Sequence, residues 1–397
     1  MAKDFKKLDN VLQTFADNQS VPGCGAVVMQ GDEVIYEGYK GYADIASKKP
    51  VEASTIFRQA STTKLLTYAV MGQLFEEGKY LMSDPLYDYL PEWKNAKKYQ
   101  VMPSGQVIAV PLENPITVGD AVGMMCGMPY CMGINPNATT PTQAAMSRVM
   151  AKLTEGRDTD VMLRDEVRAM SEAPVQFEPG THWQYGYGSE IMGALVEEMT
   201  GKKVFEAVKE RIIDPLGMKD TGVFIDDNNR DQIVTAYRKT PEGKLEAIGP
   251  EFDEAYNEKK HPIGTRMNLL STPRDFAIFM QMLANGGTYK GERFLAPGTV
   301  EMLHTNRLHE AAMTDFMNDG HHYFEGYGYG FGFRTVITKQ YGHNGHLGCF
   351  GWTGGYGTWA EADPVDKLSI VYMHNMMPNE ELYHHLRVRA AAYGCME

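Results

Sequence analysis

Apolar residues recur along the chain at two spacings, and the switches between them divide the sequence. Near the start, Phe5, Leu8, Val11, Leu12 and Phe15 follow the period of an amphipathic helix over residues 3–18. Gly25-Ala26-Val27-Val28-Met29 and Val34-Ile35-Tyr36-Glu37-Gly38 then predict a hairpin turned at Gly31-Asp32, with Gly41-Tyr42-Ala43-Asp44 leaving the sheet. Residues 60–220 read as helix-rich, without convincing strands. They hold an apolar helix after Ser61, a short helix between Pro85 and Pro91, and a helix opened by Pro115-Ile116-Thr117 and broken at Gly127-Met128-Pro129. A loop over 135–145, with Pro136 and Pro141, precedes further helical period to about 170. Strands return over 326–334, 348–359 and 368–374, and a last helix covers 380–393. The order predicts an α/β domain, residues 1–60 and 221–397, interrupted by an all-α domain over 61–220.

Candidate chemistry begins at Ser61-Thr62-Thr63-Lys64, the sole Ser-x-x-Lys in the chain. At the start of a helix, positions i and i+3 share a face, so the hydroxyl and the amine point the same way. A serine is a weak nucleophile until a base lies beside it, and a nearby lysine can serve. The free N–H groups of a helix start would also face an oxyanion formed there. The bland alternative is an exposed N-cap serine with a solvated lysine.

Two further stretches change the balance. Residues 177–193 include Pro179-Gly180-Thr181-His182-Trp183-Gln184-Tyr185-Gly186-Tyr187, and residues 348–359 include Trp352-Thr353-Gly354-Gly355. Together with Ser61-x-x-Lys64 they resemble the three boxes of the serine β-lactamase and penicillin-binding-protein superfamily, in the pattern of family VIII carboxylesterases and class C β-lactamases. Asp214-Pro215-Leu216-Gly217-Met218 and Leu270-Ser271-Thr272-Pro273 add family-like flanks. The resemblance implies a β-lactamase-like fold, an antiparallel sheet flanked by N- and C-terminal helices with an inserted helical domain, and an active site in the cleft between the α/β and helical domains. It implies Ser61 as nucleophile, Lys64 and Tyr185 as its proton partners, and the N–H groups of Ser61 and Gly355 as an oxyanion hole. Tyr187, Trp352, Thr353, Gly354, His343 and His346 fall where substrate would bind. The class C boxes Tyr-x-Asn and Lys-Thr-Gly are here Tyr185-Gly186-Tyr187 and Trp352-Thr353-Gly354. The second-box asparagine and the third-box lysine are missing, which favours esters over β-lactams. His343-Asn344-Gly345 is an alternative third box, but Trp352 has the better spacing to Asp363.

Composition excludes more than it selects. A net charge of -13 argues against nucleic acid or an anionic membrane as partner. No apolar run reaches the ~18 residues of a span, and no secretory h-region is present. Five cysteines, odd and scattered, make a poor disulfide framework and point with the rest to the cytoplasm. His343-x-x-His346 and His321-His322 lack a third ligand, so neither metal nor cofactor is expected. The expected function is a serine carboxylesterase acting on small to medium acyl esters through a Ser61 acyl-enzyme. An amide-directed β-lactamase or D-aminopeptidase, an acyltransferase, and a binding protein that keeps only the fold are the alternatives.

Overall fold

The computed structural model describes residues 4–131, 140–156, 163–258, 268–319 and 324–396. Strands β1 (Gly23–Gln30), β2 (Glu33–Asp44) and β3 (Lys49–Pro50) come early. Strands β4 (Tyr327–Tyr329), β5 (Arg334–Val336), β6 (Phe350–Thr353), β7 (Trp359–Asp363) and β8 (Leu368–Met373) come late. They form one antiparallel sheet in the order β4-β5-β6-β7-β8-β1-β2-β3. The helices that matter most to the site are α1 (Lys6–Asp17), α2 (Lys64–Glu76), α3 (Gly188–Thr200), α4 (Pro273–Ala284) and α5 (Glu381–Tyr393).

The sheet is buried on both faces, which the strand alternation sorts. Cys24, Ala26 and Val28 of β1, with Leu368, Ile370 and Tyr372 of β8, pack under Leu8, Leu12 and Phe15 of α1 and Val388 and Ala392 of α5. Val27, Met29, Val371 and Met373 face the opposite layer, where α4 supplies Phe276, Phe279, Met280 and Leu283. Burying each large apolar side chain contributes about 1.5–3 kcal/mol. A one-residue slip would send every one of them to the wrong face, so the register is strongly specified. Helix α2 lies inside the helical layer, with Leu65 through Gly72 and Leu74 all buried.

Five local expectations change. Gly41–Asp44 stays in the sheet as the end of β2, because Gly41 lies opposite Gly23 and the two backbones approach closely. Residues 326–334 are two strands, β4 and the start of β5, turned where Gly330 N–H meets Phe333 O (2.9 Å) and Gly332 takes φ 95°. Residues 348–359 likewise divide into β6 and the start of β7. The helix-rich region contains a hairpin, Lys97–Val101 with Val107–Pro111, which presents one face to solvent. The helix capped by Thr117 and Asp120 ends at Val122, short of the Gly127 break. Residues 132–139 of the proline-containing loop, and His321-His322, lie outside the described residues. Among the described residues no helix is long and apolar enough to cross a membrane.

Candidate active site

The segment before Ser61 is held at both ends. Phe57–Arg58 pairs with Leu270–Ser271. Gln59 is fully buried and its amide donates to Phe57 O (2.9 Å) and Ser271 O (3.3 Å). Ala60 then adopts φ 48°, a left-handed conformation that costs a non-glycine residue about 1–2 kcal/mol. Residues Ala60–Thr63 form a tight 3-10 turn that feeds α2, so Ser61 precedes the α-helix and Lys64 begins it. The i, i+3 relation survives, and Lys64 Nζ donates to Ser61 Oγ at 3.1 Å. The Ser61 N–H belongs to the first turn, where no intrahelical acceptor exists.

Tyr185 is placed by its own loop. Gln184 N–H reaches Met124 O (2.9 Å), Tyr187 N–H reaches Met128 O (2.8 Å), and Pro129 bridges Gly186. A side chain at Gly186 would run into the Met128 carbonyl, so only glycine lets the segments lie this close. The Tyr185 ring sits among Tyr130, Trp183 and Trp352, with centroids 5.5, 6.4 and 5.5 Å away. Trp352 Nε1 donates to the Tyr185 hydroxyl at 3.4 Å. Lys64 Nζ lies 5.4 Å from the centre of the Tyr185 ring and 5.8 Å from that of Tyr130. The amine therefore touches the serine on one side and two phenol rings on the other.

The third box closes the cleft with backbone. Gly354 packs directly on the Gln59 carbonyl and the Thr358 hydroxyl, leaving no room for a Cβ. Thr358 Oγ1 donates to Gln59 O (2.9 Å) and lies 3.2 Å from Thr62 Oγ1, which ties the β6–β7 turn to the Ser61 turn. Gly354 N–H to Thr358 O (2.7 Å) and Gly357 N–H to Gly354 O (2.9 Å) shape that turn, and Gly355 stands exposed between them.

Four residues expected at the substrate lie elsewhere. Tyr187 is buried, its hydroxyl donating to Cys131 O (2.9 Å) and its ring edge-on to Tyr130 at 4.9 Å. Thr353 points to the opposite face of the sheet from Trp352, as strand alternation requires. Its hydroxyl lies 3.1 Å from Glu381 Oε2 and 3.3 Å from His385 Nδ1. His343 and His346 sit beside the far end of the β6–β7 hairpin, where the chain approaches β6. His343 is buried, with Nε2 3.1 Å from Glu325 O and its ring edge-on to Tyr327; burial, first among several causes, pushes its pKa down to about 4. His346 Nδ1 donates to Asp363 Oδ2 at 2.8 Å. His346, Asp363 and Asp366 bring ligand atoms within 4.8 Å of one another, but His343 takes no part in that group. Asp363 is committed to His346, the Tyr393 hydroxyl (3.0 Å) and the Val365 N–H (3.0 Å).

Sequence reasoning missed Tyr130, Ser189 and Glu190. With Ser61 and Lys64 they line a cavity of about 280 Å³, to which Leu163, Met192 and Val204 add apolar surface. Ser189 Oγ donates to Glu190 Oε2 (2.7 Å), and the Tyr130 hydroxyl lies 3.1 Å from Ser189 Oγ and 3.4 Å from Glu190. Burial, reinforced by the Glu190 carboxylate, holds the Tyr130 phenol well above its ordinary range, so it stays protonated and donates. Ser189 and Glu190 follow the second box directly and could have been weighed with it. Tyr130 carries no motif and is brought in by the Pro129–Gly186 bridge and by Gln143 Nε2, which donates to its carbonyl at 3.2 Å.

A model of the Beta-lactamase family matches residues 8–394, and the chain belongs to that family. Among its relatives is Protein Rv1367c of Mycobacterium tuberculosis, 27% identical over 375 residues that cover 93% of this chain and 89% of the relative. Esterase EstB of Burkholderia gladioli is 26% identical over 216 residues, 54% of this chain and 50% of EstB. The solved structure of EstCE1, described as a hydrolase with promiscuous acyltransferase activity, superposes with a TM-score of 0.80 at 23% identity over 98% of both chains. The fold is thus β-lactamase-like, an antiparallel sheet flanked by terminal helices.

Proposed function

We propose that the protein is a serine carboxylesterase that cleaves small to medium acyl esters through an acyl-enzyme on Ser61. The observation that carries this is the Lys64 Nζ–Ser61 Oγ hydrogen bond of 3.1 Å, with the Tyr185 ring against the same amine. As Ser61 Oγ attacks the acyl carbon, its proton passes to the Lys64–Tyr185 pair. The tetrahedral oxyanion takes hydrogen bonds from the Ser61 and Gly355 N–H groups, each such donor typically worth about 10²–10³ in rate. Collapse expels the alcohol, which regains a proton from the same pair, and water then repeats the attack on the acyl-enzyme. Trp352 steadies the Tyr185 hydroxyl, and Gly354 sets the height of the turn. The 280 Å³ cavity is at the small end of ligand pockets and takes apolar lining from Leu163, Met192 and Val204, which suits a short acyl chain. The esterase EstB among the relatives supports the same reading.

Amide substrates fit less well. The second-box position that would hold an amide is Tyr187, whose hydroxyl is spent on Cys131 in the core. Trp352 stands where a lysine would meet a β-lactam carboxylate. Acyl transfer to an alcohol uses the same acyl-enzyme, and the activity named for EstCE1 keeps it as the second reading.

The test is hydrolysis of p-nitrophenyl acetate and butyrate, with intact-mass detection of an acyl group on Ser61. Ser61→Ala should lower kcat/KM by at least about 10³-fold and abolish the mass shift. Absence of turnover on every short and medium ester, or faster turnover of a chromogenic cephalosporin, would overturn the proposal.

A further inference from the structure

The segment that follows β8 grips the turn that carries the Gly355 amide. Gly354, Gly355, Tyr356 and Gly357 present their carbonyls in succession, and all but that of Gly355 take a hydrogen bond from residues 374–385. Asn379 Nδ2 donates to Gly354 O at 3.3 Å. The Met376 N–H donates to Tyr356 O at 2.9 Å. Gly357 O lies 3.2 Å from His385 Nε2 and 3.4 Å from the His374 nitrogen. A carbonyl only accepts, so His385 Nε2 carries the proton. Nδ1 of the same ring lies 3.3 Å from Thr353 Oγ1, so one histidine of α5 touches both legs of the turn. The segment also reaches the chain that leads to Ser61. Asn375 Oδ1 accepts the Arg58 N–H (2.9 Å), and its Nδ2 donates to Arg58 O (3.1 Å).

These bonds set the direction of the Gly355 N–H. The Gly354–Gly355 peptide is trans, so its C=O and N–H point opposite ways. Whatever holds Gly354 O therefore aims the Gly355 N–H. The Gly357 N–H holds that oxygen from inside the turn at 2.9 Å, and Asn379 holds it from outside. A hydrogen bond to a carbonyl also polarises its peptide, which makes the N–H a stronger donor. His385 steadies the internal partner, because it fixes the Gly357 carbonyl.

We propose that Asn379 and His385 are positioning residues of the oxyanion hole, which hold the Gly355 N–H where negative charge develops on the acyl oxygen. The assignment rests on the esterase reading above and extends that site to the C-terminal segment, beyond the three boxes. Both residues act through the turn and not on the substrate.

Butylboronic acid and p-nitrophenyl butyrate test this, because a tetrahedral boronate on Ser61 places an oxygen where the oxyanion would sit. Asn379→Asp keeps the shape and removes the donor. It should lower kcat about tenfold, leave KM within twofold, and weaken butylboronic acid by the same factor as kcat. His385→Leu should do the same, and His385→Gln, whose amide can donate to Gly357 O, should recover most of the loss. Folding is checked by thermal unfolding, and Asn379→Asp, at a half-buried position, carries the test should His385→Leu not fold. Asn379→Asp within twofold of wild type in both kcat and boronate affinity overturns the proposal, and so does a loss confined to KM. If wild type neither hydrolyses the ester nor binds the boronate, the esterase reading falls and hydrogen exchange decides the rest. Faster exchange across residues 354–358 in Asn379→Asp keeps the segment as the holder of the turn, and unchanged exchange overturns that as well.

Discussion

The two ends of the β6–β7 hairpin use polar chemistry in opposite ways. At the turn, Gly354 brings main chain and no side chain against the Gln59 carbonyl, two residues before Ser61, and Gly355 stands exposed beside it. At the other end, His346, Asp363, Cys349, Tyr393 and Glu361 form a dense set of side chains that spend their hydrogen bonds on one another. A search for function by polar richness would choose the second end. The proposed site lies at the first, where the chemistry would depend on amides at the margins of secondary structure and on one amine held between a hydroxyl and two phenols. A saturated network is architecture, and it is unsaturated geometry that can act on a ligand.

The contrast can be broken most sharply at Tyr185. Tyr185→Phe keeps the ring between Tyr130 and Trp352 and removes the proton carrier, so kcat on p-nitrophenyl butyrate should fall about 10²–10⁴-fold while the melting temperature moves by only a few degrees. A loss under fivefold would leave Lys64 acting without the phenol.

Acid should strike both ends through stability. Burial pushes His384, His304 and His343 down to about 4 and His385 to about 3, and it holds His374 well below the usual histidine range. His385 supports the turn directly, with Nε2 3.2 Å from Gly357 O. In the unfolded chain these rings titrate near 6.5, so the unfolded state gains protons first. Stability present above about pH 6.5 should therefore erode toward pH 4, by several kcal/mol in total. Urea midpoints measured from pH 7.5 to 4.5 check this, and a flat profile would mean that the rings are not held neutral.

Asp363→Asn comes next. Burial raises this carboxyl, but its hydrogen bonds with His346 and its other neighbours outweigh that and hold it below the ordinary value. Losing the charge should cost about 1–3 kcal/mol in unfolding experiments and change kcat less than twofold. A large drop in kcat with unchanged stability would move the chemistry to the far end. Trp352→Phe is the smallest step: it deletes one long hydrogen bond, and kcat should fall about two- to tenfold.

Much of this was legible because it is local. Ser61 and Lys64 are three residues apart, and no tertiary detail was needed to set them side by side. Tyr185 and Gly355 were placed through box order and family resemblance. What escaped depends on parity or on contacts distant in sequence. Thr353 was grouped with Trp352, yet adjacent strand residues face opposite ways. The glycines of 326–334 and 354–357 were absorbed into alternating strands, although Gly332 and Gly357 at φ 95° and 106° mark turns. The hairpin over 97–111 had its signals in Ser104-Gly105, where Gly105 takes φ 83°, and in the apolar run Val107-Ile108-Ala109-Val110, but both sit inside a region whose dominant period is helical. Tyr130 and the His182–Asp315 pair have no local pattern, since their partners come from segments 55 to 133 residues away.

The fit of Gly354 on the Gln59 carbonyl has a mechanical outcome. The piece bearing the nucleophile and the piece bearing the second amide are clamped by a contact that involves none of the loops around the mouth. Those loops can lengthen, shorten or change character while the spacing of Ser61 and the glycine turn is carried along unchanged, so, on the proposed esterase reading, the scaffold can trade one ester for another without retooling the site.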